Sequence, residues 1–288
     1  MSHLADEKKW VLDALREDSA RKDRTTCWFI PAHEHSEATI TFKENGVVCG
    51  LNLAKTVFRQ LDRSIQMQTR FKDGNFIKKN TPILQLKGHS RAILSGERTA
   101  LNFLGYLSGI ATITAEFVKK TRPYGVKILD TRKTTPCLRK WEKYAVRCGG
   151  GDNHRFDLEG AIFIKDNHRV VLNNQRTSLH DQIKRLRRKT KQCMILEVDH
   201  LSQFREALRS GVDVILLDNM KPSQLKKAVT LAKRVIPSKR PMLEASGGIT
   251  LKNIVGIARS GINRISVGYV THSHRFIDVS LEMKPPTE

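Results

Sequence analysis

Two acidic residues, Glu197 and Asp218, stand near the ends of short apolar runs, Met194-Ile-Leu-Glu-Val198 and Asp213-Val-Ile-Leu-Leu-Asp218. Structural carboxylates that pair with nearby arginines are one explanation of such positions. Because the chain carries 51 lysines and arginines, two carboxylates there also suit a divalent metal bound through oxygen, or a transition state with positive charge. Both are therefore candidate catalytic and metal-binding residues.

Basic side chains follow other apolar runs. Asp130-Thr-Arg-Lys-Thr-Thr-Pro136 carries adjacent cations before a helix opened by Pro136, which favours an anion site, although an exposed basic turn has the same pattern. Lys165 closes the run Ala161-Ile-Phe-Ile-Lys165, a costly position unless it faces a polar opening. His154-Arg155 follows a glycine triplet and could equally be an ordinary surface pair.

Glycines follow the last two runs, in Ser246-Gly-Gly-Ile-Thr250 and at Gly268. Taken singly, Ser-Gly-Gly is a common turn. At a strand end before a helix, however, it lets the backbone approach a phosphate, and the helix N-terminus favours negative charge. We therefore expect Ser246, Gly247, Gly248 and Gly268 to form a phosphate site.

The elements that position these residues are six short apolar runs, which begin at Lys127, Ala161, Met194, Asp213, Met242 and Arg264. Apolar runs without alternation are typical of parallel strands covered on both faces, so they predict an α/β barrel or an open doubly wound sheet. In either fold, ligands bind at the carboxyl ends of the strands. The candidate residues fall at those ends.

The first part of the chain has a different pattern. Alternation over 38–42 and the apolar run 47–50, on either side of Glu44-Asn-Gly46, predict a β-hairpin. Further strands are expected near 65–71 and 83–86, and helices over 5–17, 51–61 and 90–120. Ser108-Gly109 is expected to break the last of these into two helices. This half is predicted to be an α+β domain with an antiparallel sheet.

Composition limits the function classes. No apolar run approaches the roughly 20 residues of a membrane span. The five cysteines are scattered and form no C-x-x-C pair, so we expect reduced thiols, no zinc site and a cytoplasmic location. The net charge of +22 raises a nucleic-acid-binding alternative. The densest basic run, 184–191, coincides with Leu179, Ile183 and Leu186 at helical spacing, which favours a solvated helix face.

Several segments, in order along the chain, resemble the quinolinate phosphoribosyltransferase family, also called carboxylating nicotinate-nucleotide pyrophosphorylases. They cover nearly the whole chain from about Gly46. They are Glu97-Arg-Thr-Ala-Leu-Asn102, Leu107-Ser-Gly-Ile-Ala-Thr112, Asp130-Thr-Arg-Lys-Thr-Thr-Pro136, Glu142-Lys-Tyr-Ala-Val146, Gly149-Gly-Gly151 with Asn153-His-Arg155, Ile164-Lys-Asp-Asn-His168, Leu217-Asp-Asn219, Glu244-Ala-Ser-Gly-Gly-Ile-Thr250, Ile265-Ser-Val-Gly268 and Thr271-His-Ser273.

The resemblance implies an α/β protein. It has an N-terminal α+β sandwich domain over 1–113, an incomplete parallel α/β barrel over 114–271, and a C-terminal segment, 272–288, that packs back on the first domain. It also implies a homodimer or a hexamer built from dimers, in which the N-terminal domain of one subunit covers the barrel of the other. No membrane and no specific nucleic acid are expected as partners.

The implied reaction is phosphoribosyl transfer from phosphoribosyl pyrophosphate to quinolinate with loss of CO2, which makes nicotinate mononucleotide. Glu197 and Asp218 would handle Mg2+ and the ribose, and Lys133 would join them in catalysis. Ser246, Gly247, Gly248 and Gly268 would hold the 5′-phosphate. The quinolinate pocket would be formed by Arg98 from the partner and by Arg132, Lys133, His154, Arg155 and Lys165.

The chain departs from the family pattern near its start, where it reads Lys22-Asp-Arg-Thr25, and at Cys137, Asp157 and Ile195. None of these positions is an expected catalytic residue. Within the same fold, a nicotinate-specific or molybdenum-operon-type relative is the alternative. The number of cations favours a dicarboxylate substrate over nicotinate, which has a single carboxylate.

Overall fold

The computed structural model describes residues 2–173, 178–236 and 240–284. The chain divides into two compact units. Unit 1 comprises Met1–Ile113, Arg147–Gly149 and His274–Glu288, and unit 2 comprises Thr114–Val146 and Gly150–Ser273. The last four residues of the predicted C-terminal segment, 285–288, lie outside the described residues.

The order of elements differs between the two halves of the chain, and most short strands of the second half are followed by a helix. The helices are α1 (Ser2–Glu17), α2 (Arg24–Phe29), α3 (Leu51–Leu61), α4 (Ser90–Thr121), α5 (Arg139–Cys148), α6 (Asp166–Asn173), α7 (Leu179–Arg187), α8 (Leu201–Ala207), α9 (Pro222–Ala232), α10 (Ile254–Ala258) and α11 (Tyr269–His272). The strands are β1 (His35–Phe42), β2 (Gly46–Val47), β3 (Gln66–Gln68), β4 (Phe76–Ile77), β5 (Thr81–His89), β6 (Lys127–Leu129), β7 (Ile162–Ile164), β8 (Met194–Val198), β9 (Val214–Asp218), β10 (Met242–Ser246), β11 (Arg264–Ser266) and β12 (Val279–Lys284).

Unit 1 contains an antiparallel sheet with the strand order β12-β1-β5-β3. Ala38, Ile40 and Phe42 are buried in β1, as its alternating pattern requires. The hairpin predicted around Asn45-Gly46 is wrong, because β1 pairs with β5 and β12 while β2 pairs with β4. The Asn45 side chain accepts a hydrogen bond from the Lys79 backbone N–H at 2.9 Å, so it holds a second loop instead of closing a two-strand turn.

Helix α4 is continuous through Ser108 and Gly109, so the predicted break is wrong. A Cβ atom at Gly109 would lie 2.0 Å from the backbone oxygen of Arg275, and one at Gly105 would lie 2.9 Å from that of Ile277. The glycines therefore allow the returning chain of unit 1 to approach the helix closely. A close backbone approach and a helix break both call for glycine, and the local sequence does not distinguish them.

Unit 2 is built on a parallel sheet of six described strands in the order β6-β11-β10-β9-β8-β7. The first of these strands in the chain, β6, lies beside the last, β11, as in a barrel, and β6 and β7 are the two ends of the strand order. The predicted fold class, an antiparallel α+β part followed by an incomplete parallel α/β barrel, is confirmed.

Most strands of unit 2 are buried along most of their length, while β7 at one end of the sheet is only partly buried. The four residues Val214–Leu217 of β9 are all buried, and Ala161, Ile195, Val214 and Leu216 form one cluster against which Phe163 packs. Continuous burial explains why these strands read as apolar runs without alternation. Packing in the core therefore holds the strands in position, and the polar residues at their carboxyl ends line one edge of the sheet.

Helix α4 with the turn after it, Ser90–Tyr124, is long and apolar enough to cross a membrane by length and composition alone. The buried share of its most apolar window is 61%. The core helix of a globular protein meets the same criterion, so this feature is weak evidence for a membrane span.

Gly109→Ala tests the explanation of the continuous helix. Alanine normally stabilises a helix relative to glycine, by up to about 1 kcal/mol. At Gly109 we expect the opposite sign, a loss of about 1–3 kcal/mol from overpacking against Arg275, measured by urea unfolding. The control is Gly256→Ala in α10, where the new Cβ would meet only Pro222 at 3.8 Å and should be neutral or stabilising. A stabilising Gly109→Ala would contradict the close approach.

Candidate active site

Three carboxylates meet at the carboxyl ends of two neighbouring strands. Glu197 lies near the end of β8, Asp199 follows that strand, and Asp218 ends β9. Because β8 and β9 pair in parallel, with Glu197 beside Leu216, these side chains reach the same edge of the sheet. One oxygen from each carboxylate lies within 4.8 Å of the others. Sequence reasoning identified Glu197 and Asp218 but missed Asp199.

The ionised forms of the acidic cluster are disfavoured by burial and by mutual repulsion. Burial, and then the charge of Asp218, raise the pKa of Glu197 from 4.5 to about 7, although Lys165 opposes this rise. Burial, followed by the charge of Asp199, also raises the pKa of Asp218, against the opposing effects of the Asn219 amide and Lys133. Such a cluster of hard oxygen donors fits a divalent cation.

Phe163 of β7 holds two of the predicted cationic residues. The guanidinium carbon of Arg155 lies 5.0 Å from the centroid of its ring, and Lys165 Nζ lies 5.1 Å from it. The His154 ring stacks on the same phenyl group, with centroids 5.7 Å apart. Cation–π attraction therefore arranges Arg155 and Lys165 around one aromatic ring. Sequence reasoning treated Phe163 only as part of an apolar run.

Arg132 adds positive charge beside Arg155. Burial, and then the charge of Arg132, lower the pKa of Arg155. The Arg132 Nε donor is buried and makes no hydrogen bond within the described residues. An anionic ligand would both satisfy this donor and relieve the repulsion between the two guanidinium groups.

A buried carboxylate on β10 supports the same region. Glu244 is fully buried and accepts hydrogen bonds from Arg264 Nε at 2.6 Å and from the Ser266 hydroxyl. Its Oε1 also lies 3.4 Å from His154 Nε2. Glu244 therefore links β10, β11 and the loop that carries His154.

A second buried carboxylate, Asp130, also holds the loop that carries His154. It accepts hydrogen bonds from Lys143 Nζ at 2.5 Å, Asn153 Nδ2 at 2.6 Å and the His154 backbone N–H at 2.8 Å. Burial lowers the pKa of Lys143, and Asp130 is the main influence that opposes this shift. The network holds His154 and Arg155 in place through their backbone.

The glycine loop after β10 has a backbone conformation that residues with a side chain rarely adopt. Gly247 has φ 89° and Gly248 has φ 57°. A Cβ atom at Gly247 would lie 2.1 Å from Asn219 Oδ1, while the Asn219 N–H donates to the Ser246 carbonyl at 2.9 Å. The loop is thus tied to the end of β9, next to Asp218.

Lys133 lies beside the next glycine of the site. A Cβ atom at Gly268 would be 3.3 Å from Lys133 Cδ, and the Thr271 hydroxyl donates to the Lys133 carbonyl at 2.6 Å. Since the charge of Lys133 also acts on Asp218, the loops after β6, β9 and β11 lie side by side. The predicted residues of unit 2 form one connected region, whereas Arg98 lies in unit 1, exposed on α4.

Comparison with known proteins gives a consistent result. Residues 23–108 match the family model described as quinolinate phosphoribosyl transferase, N-terminal domain, and residues 110–282 match that of the C-terminal domain. The probable nicotinate-nucleotide pyrophosphorylase [carboxylating] of Bacillus subtilis is 39% identical over 285 residues, which is 98% of this chain and 95% of the relative.

Two further relatives show the same extent of similarity. The nicotinate-nucleotide pyrophosphorylase [carboxylating] of Mycobacterium leprae is 36% identical over 91% of each chain. The solved structure of the nicotinate-nucleotide pyrophosphorylase from Francisella tularensis is 35% identical and has a TM-score of 0.89 over 97% of this chain and 96% of that one.

Glu197→Gln tests the charge crowding in the acidic cluster. Because the folded-state pKa of about 7 lies above the ordinary 4.5, ionised Glu197 destabilises the folded chain as pH rises from about 4.5 through 7. In metal-free buffer at pH 8 we expect the variant to be more stable than the wild type by about 1 kcal/mol after solvent screening. The difference should vanish near pH 4.5, as measured by urea unfolding.

The control for this measurement is Glu206→Gln, the same chemical change at an exposed position on α8. It should leave the pH dependence of unfolding as it is in the wild type. A gain of equal size at pH 5 and pH 8 for Glu197→Gln would rule out ionisation as its cause.

Proposed function

Because the chain belongs to the quinolinate phosphoribosyl transferase family, we infer that it transfers the phosphoribosyl group of phosphoribosyl pyrophosphate to quinolinate. The products are nicotinate mononucleotide, pyrophosphate and CO2, and the reaction serves NAD biosynthesis. The observation that carries this inference is the meeting of cations, carboxylates and a glycine loop at the carboxyl ends of one parallel sheet.

The cationic residues are proposed to bind the acid. Quinolinate has two adjacent carboxylates, so it needs several donors that remain charged. Arg155 and Lys165 stand around Phe163, and Arg132 has a buried Nε donor to offer. His154 and Lys133 complete the set within unit 2. A monocarboxylate would leave part of this positive charge unneutralised.

The glycine loop is proposed to bind the 5′-phosphate. Gly247 and Gly248 expose backbone amides because they carry no side chain and have positive φ angles. Ser246 adds a hydroxyl, and Gly268 keeps space open beside Lys133. Backbone N–H groups in such a loop bind phosphate oxygens.

The acidic cluster is proposed to act on the ribose. The pyridine nitrogen of quinolinate forms a bond to C1 of the ribose as the bond to pyrophosphate breaks, so positive charge develops on the sugar. Glu197 and Asp218, when ionised, stabilise that charge through a fixed field. Lys133, beside Gly268, adds a cation close to the phosphate groups.

Mg2+ is proposed as the cofactor. One oxygen atom from each of Glu197, Asp199 and Asp218 lies within 4.8 Å of the others, and burial followed by repulsion from a neighbouring carboxylate raises the pKa of both Glu197 and Asp218. These residues would hold the ion, and Mg2+ would neutralise the departing pyrophosphate.

The second chemical step is loss of the 2-carboxylate. Once the ring nitrogen is bonded to ribose it is cationic, so it stabilises the electron pair that remains on the ring when the C–CO2 bond breaks. A proton then replaces the lost group. The proposed role of the protein is to orient the ring, through the residues that bind the remaining carboxylate, and to remove water from the carboxylate that leaves.

We also propose a homodimer in the cytoplasm, in which Arg98 completes the acid pocket of the partner subunit. Arg98 is exposed on α4 and lies outside unit 2. All five cysteines are free thiols, which suits a reducing compartment.

The proposed function is tested by supplying phosphoribosyl pyrophosphate and Mg2+ with either quinolinate or nicotinate. We expect CO2 and nicotinate mononucleotide from quinolinate only. Lys133→Ala should lower kcat/KM by about 10²- to 10³-fold, because it removes one stabilising charge from the site.

Lys184→Ala is the matched control for this experiment. It removes one exposed positive charge from α7 and should leave kcat/KM within about twofold, since salt weakens the interactions of solvent-exposed charges. Turnover of nicotinate alone would refute the substrate assignment. Equal effects of the two lysine substitutions would refute the role of Lys133.

Gly247→Ala tests the phosphate loop. The new Cβ would collide with Asn219 Oδ1, and φ is positive, so we expect the KM for phosphoribosyl pyrophosphate to rise by 10-fold or more. Gly211→Ala has a similar φ of 78° but meets nothing within 4 Å. That control should cost about 1–2 kcal/mol of stability without changing KM. An equal KM in both variants would exclude the loop from phosphate binding.

A further inference from the structure

Unit 1 contains a second cluster of potential metal ligands that the proposed reaction does not use. Cys49, Asp73 and Cys148 each offer one donor atom, and the three atoms lie within 4.8 Å of one another. Cys49 is fully buried, while Asp73 and Cys148 are partly exposed. The cluster joins three stretches of chain that are far apart in the sequence.

The backbone around each donor is held in place. The Cys49 N–H donates to Ser108 Oγ at 2.9 Å, and Ser108 Oγ donates back to the Cys49 carbonyl at 3.2 Å. Asp73 Oδ1 accepts the Leu51 N–H at 3.0 Å at the start of α3. Cys148 is the last residue of α5. The donors therefore belong to fixed elements and need little reorganisation to bind an ion.

The spacing of the donors suits a small ion. For three atoms within 4.8 Å of one another, there is a point no more than about 2.8 Å from all of them. Bonds from zinc are about 2.3 Å to sulfur and about 2.0–2.2 Å to carboxylate oxygen. Side-chain movements of about 0.5–0.8 Å would bring all three donors into bonding distance.

The donor chemistry selects a borderline-soft metal. Two thiols and one carboxylate match zinc, whereas Mg2+ prefers oxygen alone.

We propose that Cys49, Asp73 and Cys148 bind one zinc ion, with solvent at the fourth position beside the partly exposed ligands. Binding replaces the two thiol protons with two sulfur–zinc bonds and releases both protons to water. The ion clamps the start of α3, the turn at Asp73 and the end of α5, and so stabilises unit 1 by mass action.

The test titrates the full-length reduced chain with Co2+ and then with Zn2+. Cobalt bound by thiolates gives a sulfur-to-metal charge-transfer absorption, which oxygen ligands do not produce. We expect this band to saturate at one equivalent and to disappear when Zn2+ is added. Zn2+ should raise Tm and release two protons per ion, and its affinity should increase with pH.

Substitutions identify the ligands. Cys148→Ser and Asp73→Asn should lower Zn2+ affinity by 10-fold or more, while Cys137→Ser, which removes an exposed cysteine, should leave the titration unchanged. Glu197→Gln should retain the cobalt band, because the acidic cluster of unit 2 supplies oxygen only.

The wild-type chain gives an independent measurement if a variant folds poorly. Saturating Zn2+ should slow alkylation of Cys148 by at least 10-fold and leave alkylation of Cys137 unaffected. The absence of a charge-transfer band, or a band that survives in Cys148→Ser, overturns the proposal. One further result would overturn the proposal. In it, the reduced chain binds neither Co2+ nor Zn2+, while peroxide oxidises Cys49 and Cys148 to a disulfide and is itself reduced to water.

Discussion

The partial burial of Glu197 and Asp218, together with repulsion among Glu197, Asp218 and Asp199, is the constraint on which the rest of the site depends. The chain carries a net charge of +22, yet burial and mutual repulsion still raise the pKa of Glu197 to about 7. Placing carboxylates so close costs stability, and the buried strands β8 and β9 supply the rigid support that tolerates it. Lys133 and Lys165 offset part of the charge from either side. In the proposed reaction, a divalent cation and the developing positive charge on the sugar would each favour the ionised carboxylates, so the cost in the free chain would become affinity for the ion and the transition state.

Much of unit 2 could be predicted from the sequence, because a parallel sheet translates a one-dimensional pattern directly into position. A buried strand reads as an apolar run, and its first polar residue marks the carboxyl end. Lys165, Glu197 and Asp218 were found in this way. The predictions in unit 1 that were wrong relied on local signals with two meanings. Asn45-Gly46 can close a hairpin or anchor a loop, and Gly109 can end a helix or admit a neighbouring backbone. Which of the two structures forms depends on contact partners far away in the sequence, Lys79 for Asn45 and Arg275 for Gly109.

Residues that act through distant partners were out of reach of sequence reasoning for the same reason. Glu244 is an acidic residue inside an apolar strand, and its role becomes visible only when Arg264 and Ser266 lie beside it. Cys49 and Cys148 are 99 positions apart and form no spacing motif, so the sequence predicted no zinc site, yet the fold of unit 1 brings both next to Asp73. The order of strands in a sheet and the paths of the loops decide which charged residues are buried next to each other. A short window of sequence does not contain that information.

The phenyl ring of Phe163 has a consequence for how this protein could change its substrate. Arg155 and Lys165 share that ring, and His154 stacks on it. A mutation there would disturb all three of these proposed acid-binding residues together, so the affinity for each carboxylate of the acid could not be tuned separately from this position. Adaptation toward an acid with fewer carboxylates would have to begin with the loss of a basic residue that does not contact Phe163. Only after that change could Phe163 itself be replaced without loss of acid binding.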